Sequence, residues 1–454
     1  MWFHDLSRWD AAGFRQARWL WPDAVLQPLG AVVRRVVDEV APDAARAELP
    51  IIEKISFGGE LSLSSEAGRA DYKGRLFWAK TGQLTYSKIR VKQGSFCVIS
   101  ADLPTVAVSA EYPVYEIETQ RISPVFLGLL LRSGYMKGVL DGLAHGSSTK
   151  TRIHPEQFEA LQIPVPPMDV QHAIVTQWEQ AQAEVQRAEA LATEREAQAQ
   201  AGFLAALGLS ASAQPQDKRR AFALNFSAME RWGVGVNQPG DKFDVTQGIY
   251  PVIALGDVIA DLSNGWSPQC LNRPVQGDEW GVLKLGAVSF GTFDPTENKA
   301  MPEGLKPMPS LEIKAGDWLI SRANITRLVG ACALVDKTPP HLLLCDKIFR
   351  AVWRSDSPAL PAYLDAVLKL PHLRRQIEAA LTGTSPTMKN ISKPALLALR
   401  LPLPPLDIQK TLVEAIAQAR TEATQLRQQA AQVRARARQR MERALLGAPS
   451  DENS

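Results

Sequence analysis

Two stretches of the chain have almost the same pattern: Ile163-Pro-Val-Pro-Pro-Met-Asp-Val-Gln171 and Leu401-Pro-Leu-Pro-Pro-Leu-Asp-Ile-Gln409. They lie 238 positions apart (409 − 171) in a chain of 454 residues. Proline cannot occupy the interior of a helix, so each cluster marks the end of one structural element and the start of the next. A pattern repeated at this distance predicts that the chain is an internal duplication.

Further matches occur in the same order along the two halves. They pair Arg8-Trp9 with Arg231-Trp232, Leu29-Gly30 with Leu255-Gly256, residues 89–94 with 311–316, Ser123-Pro124 and Phe126-Leu127 with Ser357-Pro358 and Tyr363-Leu364, and the Gly/Ser/Thr-rich turn 146–152 with 383–390. The offset varies, so we expect two halves that share a frame and differ by loop insertions. Residues 262–270 have no counterpart in the first half, which suggests that the exposed segments differ.

Short strand-like and helix-like runs alternate within each half, which favours an α+β fold. Strands are predicted at 96–100 and 317–321, where each run follows a glycine-containing turn. Helices are predicted at 125–131 and 363–369. We expect a Ser-Pro pair to open each helix, with serine as the N-cap and proline at the first helical position.

After each proline cluster, apolar residues recur at alternating steps of four and three, which is typical of a coiled coil. The seam residues are Ile174, Trp178, Ala181, Val185, Ala188 and Ala192, and then Leu412, Ile416, Ala419, Ala423, Leu426, Ala430, Val433 and Ala437. Residues 168–209 carry 2 − 6 = −4 charges, and residues 406–446 carry 8 − 4 = +4. Matching seams of opposite charge predict that the helices pair with each other. Alternatively, each helix packs on its own domain with its charges in solvent.

These patterns predict an α+β architecture: two α/β-mixed domains in tandem duplication, separated by two long antiparallel coiled-coil helices. The predicted segments are a first domain (1–165), a spacer helix (166–209), a polar linker (210–222), a second domain (223–403), a second spacer helix (404–446) and a disordered tail (447–454).

Composition narrows the class of protein. The chain is 45% hydrophobic and 22% charged, which is ample for packed cores. Its net charge of +3 (51 − 48) is too small to indicate nucleic acid by itself. The four cysteines lack Cys-x-x-Cys spacing, which argues against a zinc site and a disulfide framework. The charged N-terminus and the short apolar runs predict a cytoplasmic protein with neither signal peptide nor membrane span.

The repeated pattern Pro-x-Pro-Pro-apolar-Asp-x-Gln at the start of a long helix resembles the specificity subunit of type I restriction–modification systems. The second half is similar to one variety of its target recognition domain, and the first half to another. The stretches that carry this likeness are 264–270, 280–286 and 317–324 in the second half, and 72–78 and 108–114 in the first. The resemblance covers nearly the whole chain. One departure is that the family often has Glu before the motif glutamine, where this chain has Val170 and Ile408.

The resemblance implies one target recognition domain in each half, reading an asymmetric and split double-stranded DNA target. It also implies assembly with two modification methyltransferase subunits and two restriction subunits, which are ATP-dependent translocases and nucleases. No cofactor is expected in this chain, because S-adenosylmethionine and ATP belong to the partner subunits. We expect the partner-docking residues to be Gln171, Trp178 and Gln409.

Base reading requires side chains such as Arg, Lys, Asn or Gln on loops that a rigid frame holds in place. The turns that precede the two proline clusters fit this description, although they could also be ordinary surface turns. The candidate DNA-binding residues there are Ser148, Lys150 and Arg152 in the first half, and Ser385, Lys389 and Asn390 in the second. Arg322 and Asn324, which follow a predicted strand, form a further candidate set.

Catalytic motifs are poorly represented. An amino-methyltransferase acting on a flipped base should show an Asp/Asn-Pro-Pro-aromatic motif, and a translocase should show a P-loop; the sequence has neither. Residues 312–314 (Glu-Ile-Lys) match a metal-dependent nuclease only weakly, and the histidines are scattered. We therefore predict a non-catalytic subunit. The rival classes are a self-contained DNA-modifying enzyme and a structural coiled-coil scaffold, and the scaffold does not account for two α+β domains.

Overall fold

A computed structural model describes residues 19–41, 48–65, 72–103, 105–143, 152–209, 244–289, 291–385 and 388–448. The chain divides into two compact units, each described below by itself. Unit 1 is Met1–Glu189 with Arg427–Ser454, and unit 2 is Ala190–Leu426. Some predicted features lie outside the described residues: the linker 210–222, the matched pairs at 8–9 and 231–232, the candidates Ser148 and Lys150, and tail residues 449–454.

The two halves of the sequence share a series of elements in the same order, and the second half contains further short ones. The first half contains β1 (Leu26–Pro28), β2 (Val33–Val36), β3 (Ile52–Ile55), β4 (Leu61–Leu63), β5 (Leu76–Lys80), β6 (Leu84–Tyr86), β7 (Phe96–Val98), β8 (Thr105–Ser109), β9 (Val114–Ile117), α1 (Pro124–Arg132), α2 (Gly134–Leu143), α3 (Pro155–Glu159), β10 (Gln162–Pro164) and the long helix α4 (Met168–Ala206). The second half contains β11 (Val252–Ala254), α5 (Leu255–Val258), β12 (Ile259–Asn264), β13 (Gly281–Leu283), α6 (Gly286–Ser289), β14 (Asn298–Ala300), β15 (Trp318–Ser321), β16 (Ala323–Asn324), β17 (Cys332–Leu334), β18 (Leu342–Leu343), β19 (Ile348–Trp353), α7 (Pro361–Leu368), α8 (Pro371–Ala379), β20 (Lys389–Asn390), α9 (Lys393–Leu397), β21 (Arg400–Pro402) and the long helix α10 (Leu406–Leu446).

Unit 1 is built on a four-stranded antiparallel sheet with the order β2-β9-β6-β7. Helix α1 and the aromatic rings of Tyr86, Tyr115 and Phe158 fill its main core. The rings of Tyr86 and Phe158 lie 4.1 Å apart and are stacked, which is a favourable aromatic arrangement. A separate two-stranded ladder joins β1 to β10, with Gln27 opposite Ile163, and so connects the start of the described chain to the motif before α4.

Unit 2 repeats this frame. Its four-stranded sheet has the order β12-β19-β15-β17, which matches β2-β9-β6-β7 strand for strand. The ladder between β11 and β21 places Ile253 opposite Leu401, as Gln27 stands opposite Ile163 in unit 1. Two α+β units with the same order of elements confirm the predicted duplication.

Helices and strands predicted from the sequence are confirmed at their centres. The strands at 96–100 and 317–321 are β7 and β15, and the helices at 125–131 and 363–369 are α1 and α7. The Ser-Pro opening is confirmed only for α1, where the Oγ of Ser123 accepts a hydrogen bond from the helix and Pro124 takes the first position.

The prediction that Ser357-Pro358 opens α7 was wrong by three residues. Its N-cap is Leu360 and its first proline is Pro361, whereas Ser357 belongs to a preceding turn and accepts from the N–H of Ala359. A Ser-Pro pair and a Leu-Pro pair lie close together here, and proline at the first helical position is tolerated in either.

The match between residues 89–94 and 311–316 was also wrong. Gly94 leads into β7, whereas Gly316 leads into β15, the counterpart of β6. The counterpart of Gly316 is Gly82, at an offset of 234 (316 − 82), and both have a positive φ (90° and 82°) that favours glycine. Each sheet contains more than one glycine turn before a strand, so a short local pattern fits several positions.

The long helices pack together through the predicted seam. In unit 1 the start of α4 and the end of α10 enter the same core, where Val175 and Leu445 are buried. In unit 2 the end of α4 and the start of α10 enter a common core, where Phe203 and Leu412 are buried. The segments therefore run antiparallel, as predicted. Every predicted seam residue is buried or half-buried.

Charge complementarity between the helices is weaker than their composition suggests. Glu189 of α4 pairs with Arg434 of α10 at 2.9 Å in unit 1, in the predicted sense. In unit 2, Arg195 of α4 pairs with Glu422 of α10 at 3.9 Å, in the reverse sense. Both ion pairs are about half-exposed, so the apolar seam contributes more to pairing than the charges.

Each long helix ends in a glycine cap. Gly208 and Gly447 have positive φ (71° and 83°), and the next residues, Leu209 and Ala448, donate back into the last turn. This pattern satisfies carbonyls that the helix leaves free. Gly447 and Ala448, which the sequence assigned to the tail, belong to this cap. Within the described residues, no helix is both long and apolar enough to cross a bilayer.

Candidate nucleic-acid interface

In unit 2, a short ladder joins the two candidate sets of the second half. Strand β16 pairs antiparallel with β20, so that Asn324 stands opposite Lys389. The carbonyl oxygen of Arg322 accepts from the N–H of Ile391 at 2.9 Å, which extends the ladder. The two candidate sets of the second half therefore lie together on this ladder, which we call the unit 2 edge: Arg322, Asn324, Lys389 and Asn390.

The loop before β20 is closed by its own hydrogen bonds. Thr382 and Asn390 exchange two backbone hydrogen bonds of 2.8 and 3.0 Å, and Nζ of Lys389 donates to the carbonyl of Gly383 at 2.6 Å. Ser385 is exposed within this loop. A loop held in this way can present side chains in a defined orientation, as base reading requires.

Three basic residues surround this edge. The guanidinium of Arg322 lies over the Phe349 ring, with Cζ 5.5 Å from the centroid. The backbone N–H of Arg322 donates to the carbonyl of Lys347 at 3.0 Å. The side chains of Lys347 and Arg327 are exposed. The aromatic ring fixes the orientation of Arg322 without neutralising its charge. The edge thus combines cations with the amides of Asn324 and Asn390.

A half-buried arginine fixes the turn that follows β16. Arg374 on α8 donates to the carbonyls of Thr326, at 2.8 Å, and Val329. Burial lowers the pKa of Arg374, and the neighbouring Glu378, 3.0 Å away, favours its charged form. The turn is therefore held against a helix rather than free in solvent.

Unit 1 has an equivalent edge after β6. The N–H of Lys88 donates to the carbonyl of Glu111 at 3.0 Å, and the carbonyl of Lys88 accepts from the N–H of Ile153 at 3.0 Å. Arg152, the candidate next to Ile153, forms a bidentate ion pair with Glu111 through two contacts of 3.1 Å. Both side chains are about 40% exposed, so the pair lies at the surface.

The two edges show which candidates the sequence analysis missed. Ser87-Lys88-Ile89-Arg90 corresponds to Ser321-Arg322-Ala323-Asn324 at an offset of 234 (321 − 87), and the backbone bonds above match one for one. Lys88 and Arg90 are therefore additional candidate DNA-binding residues, at the positions of Arg322 and Asn324. Lys347, which occupies the position of Glu111, is another. The repeated Ser–cation–apolar pattern was a usable signal, but the alignment at an offset of 222 concealed it.

Gln171, expected to contact a partner, is instead fully buried inside unit 1. Its Oε1 accepts from the N–H of Ser123, the N-cap residue of α1, at 2.8 Å. Its Nε2 donates to the carbonyls of Arg121 and Pro166 at 2.8 and 2.7 Å. One side chain thus joins the start of a long helix to the start of α1.

Gln409 makes the same three bonds in unit 2. It accepts from the N–H of Leu360, the N-cap residue of α7, at 2.8 Å, and donates to the carbonyls of Pro358 and Pro404 at 2.9 and 2.8 Å. It is also fully buried. Because neither glutamine has an exposed atom to offer, we correct their expected role from partner docking to positioning. Trp178, the third residue expected to dock a partner, is half-buried on α4, and its role stays a prediction.

Residues that weakly suggested chemistry have structural roles. Oε1 of Glu312 accepts from the N–H of His341 at 2.8 Å, and the N–H of Lys314 donates to Asp317 at 2.9 Å. Across the described residues, no group of three His, Cys, Asp or Glu side chains is placed to hold a metal ion. Burial raises the pKa of the Cys97 thiol to about 12 and that of Cys345 to about 11.

Comparisons with known proteins give one sequence relative and several similar structures. No protein-family model matches the chain. Over 163 residues, 36% of this chain, it is 34% identical to the type I restriction enzyme EcoEI specificity subunit of Escherichia coli, and the aligned stretch is 27% of that protein's length. A similar fold occurs in a solved structure that concerns complex assembly and conformational transition of the type I R-M system. The alignment has a TM-score of 0.55 and 18% identity, and it covers 93% of this chain and 96% of the solved chain. The HsdS subunit from Thermoanaerobacter tengcongensis aligns with a TM-score of 0.43 and 17% identity over 93% and 97%.

The likeness to the solved type I R-M chain concerns the fold, and the likeness to the Escherichia coli protein concerns sequence over about a third of this chain. Together they confirm the resemblance that the repeated proline–glutamine motif indicated: this chain is similar to the specificity subunits of type I restriction–modification systems.

Proposed function

We propose that this chain is the DNA sequence-recognition subunit of a type I restriction–modification complex, in which each unit reads one half of an asymmetric, interrupted target. The observation that carries the proposal is the repeated edge at Lys88 and Arg322. The same backbone bonds hold a cation at the same place in two units whose neighbouring side chains differ. Two similar frames with unlike side chains suit two unlike half-sites.

The residue types at these edges support a DNA ligand. Arg322 can donate two hydrogen bonds to the edge of a guanine, and Asn324 or Asn390 can donate and accept at an adenine. Lys88, Arg90 and Lys389 suit phosphate contacts, which give affinity without sequence information. The proposed interface thus contains both classes of contact that sequence-specific recognition needs.

The long helices are proposed to set the distance between the half-sites and to dock two methyltransferase subunits, with two restriction subunits completing the complex. Helix α4 has 39 residues. At 1.5 Å per residue it is roughly 58 Å long, and major grooves on one face of DNA recur about every 34 Å. A helix of this length is long enough to separate two groove-reading domains. Trp178 is the residue of α4 that we propose for partner contact.

We propose no catalytic step for this chain, and we place S-adenosylmethionine and ATP in the partner subunits. The rival is a self-contained DNA-modifying enzyme. Incubating the purified chain with DNA and labelled S-adenosylmethionine distinguishes the two classes. We expect no methyl transfer until the methyltransferase subunit is added. Transfer by the chain alone would refute the proposal.

The decisive experiment is the methylome of cells that carry this chain with its methyltransferase. We expect one asymmetric motif with an unspecified gap. Exchanging residues 1–165 for those of a relative should change one half of the motif and leave the other half unchanged. A change in both halves, or a single uninterrupted motif, would contradict the division of recognition between the units.

The spacer role has a separate test. Inserting four residues into α4 lengthens it by about 6 Å, which is nearly two base-pair steps. The gap in the methylated motif should widen while both half-sites stay the same. A mutant with an unchanged gap would show that the helices dock partners without setting the distance.

A further inference from the structure

A cavity of about 400 Å³ lies in unit 1 between α1, the start of β7 and helix α4. Most of its lining residues are apolar or glycine, with Leu84, Phe96, Leu129 and Trp178 among them, although polar atoms form nearly half of its surface. Arg132 supplies its one charged side chain among the described residues. This volume is in the range of small-molecule sites. The candidate DNA-contacting residues Lys88, Arg90 and Arg152 do not line it, whereas Trp178, the residue proposed above for partner contact, does.

The guanidinium of Arg132 is oriented but only partly hydrogen-bonded. It stacks on Phe96, with Cζ 4.6 Å from the ring centroid, and donates to the carbonyl of Phe96 and, at 3.5 Å, to that of Gly128. Its Nε is buried and has no hydrogen-bond partner among the described residues. A guanidinium has five N–H groups, and a buried one normally uses most of them. Arg132 therefore retains donors for a ligand.

Glycines leave room for this guanidinium to lie against the main chain. A Cβ on Gly59, whose φ is +92°, would lie 1.8 Å from Nη2 of Arg132, so no other residue fits there without displacing the arginine. A Cβ on Gly128 would lie 3.4 Å from Nη1, which is an ordinary contact. A side chain at position 128 would therefore point towards the guanidinium.

In unit 2 a carboxylate occupies the corresponding place. At an offset of 237 (361 − 124, the first residues of α7 and α1), Lys369 corresponds to Arg132 and Asp365 corresponds to Gly128. Lys369 forms an ion pair with the buried Asp365. Unit 2 thus supplies its own carboxylate, and in unit 1 the same position is a glycine beside an arginine with free donors.

We propose that the Arg132 cavity is a binding site for a small organic carboxylate carried on an apolar body. One cation balances one negative charge, so a doubly charged phosphate would keep one negative charge without a partner in the cavity. The carboxylate takes the place that Asp365 occupies in unit 2 and pairs with the Nη groups of Arg132. The apolar body lies against Phe96, Leu129 and Trp178.

The test is a titration of the full chain with phenylacetate and, as a neutral match of the same shape, phenylacetamide, followed by calorimetry or ligand-detected NMR. We expect phenylacetate to bind with a millimolar Kd and the amide to bind about tenfold more weakly, because it lacks the charge-assisted hydrogen bonds. Equal binding of the two compounds, or no binding of phenylacetate at about 50 mM, would overturn the proposal.

Three variants that each change the net charge by −1 locate the site. Arg132→Gln removes the cation, and Gly128→Asp installs the internal carboxylate that unit 2 has; each should weaken phenylacetate binding by about tenfold or more. Lys54→Gln, at an exposed position of β3, should leave binding unchanged. If Arg132→Gln does not fold, Gly128→Asp decides the question because it retains the arginine. Full binding by a folded Gly128→Asp protein refutes the site.

Discussion

The two units hold their candidate edges with the same backbone hydrogen bonds and place opposite charges beside them. In unit 1 the bond from Lys88 ends on Glu111, whose carboxylate neutralises Arg152. In unit 2 the bond from Arg322 ends on Lys347, an exposed cation. Both bonds are 3.0 Å long. The difference teaches that frame and recognition surface are separable, because the main chain sets the geometry and side chains at matching positions set the charge.

The largest effect is expected from the glutamines that make the frames equivalent. Replacing Gln171 or Gln409 with Ala leaves an N-cap N–H and two carbonyls without partners, and each replacement should lower the free energy of unfolding by about 3 kcal/mol. Chemical denaturation followed by circular dichroism measures the loss. Gln177→Ala and Gln425→Ala, at exposed positions of the same helices, are the matched controls. A large loss at only one of the two glutamines would break the equivalence of the frames.

The next effect concerns the edges themselves. Arg322→Gln should weaken binding of the assembled complex to its target by about tenfold to a hundredfold, with specificity relaxed in one half-site only. Lys88→Gln, which removes a proposed phosphate contact in unit 1, should weaken binding of all duplexes about equally. Fluorescence anisotropy with DNA duplexes mutated in either half measures both effects. Lys306→Gln, exposed and remote in sequence from the edge, controls for the loss of charge. If Arg322→Gln weakened all duplexes equally, Arg322 would be a phosphate contact.

A smaller effect tests the charge difference directly. Glu111→Gln releases Arg152 from its ion pair and makes the unit 1 edge more like that of unit 2. Affinity for non-specific DNA should rise about threefold, and the plot of log K against log salt should steepen by about one ion. Lys347→Gln should shift both quantities in the opposite direction. A weaker affinity in the Glu111→Gln complex would mean that the ion pair holds Arg152 in its reading position.

Much of this organisation was predictable because it depends on local chemistry. Proline clusters end the strands before the long helices, a three-four seam predicts a coiled coil, and a repeated motif predicts duplication; all three hold here. The correct pairing of the halves was harder to predict. Gly94 and Gly316 have similar neighbours, and only the hydrogen bonding of β7 and β15 shows that they occupy different turns.

The role of the motif glutamines was beyond sequence reasoning for a different reason. A glutamine at the start of a helix next to proline has the same local signature whether it faces solvent or the interior. Its burial depends on the approach of Arg121 and Ser123, which lie about fifty positions away in sequence. The joining of Asn324 to Lys389 depends likewise on a two-residue ladder too short to leave a periodic pattern.

The smallest effect concerns the charges on the long helices. Glu189→Gln removes the ion pair with Arg434, and because both side chains are about half-exposed, the stability should fall by no more than about 0.5 kcal/mol. Arg195→Gln, which removes the reverse pair with Glu422, should cost equally little. Both losses should vanish in high salt, since exposed charges are screened. Thermal denaturation at low and high salt measures them, with Glu184→Gln as the control at an exposed position. A loss of several kcal/mol in unit 1 alone would mean that helix charge, and not the shared seam, distinguishes how the two units hold their helices.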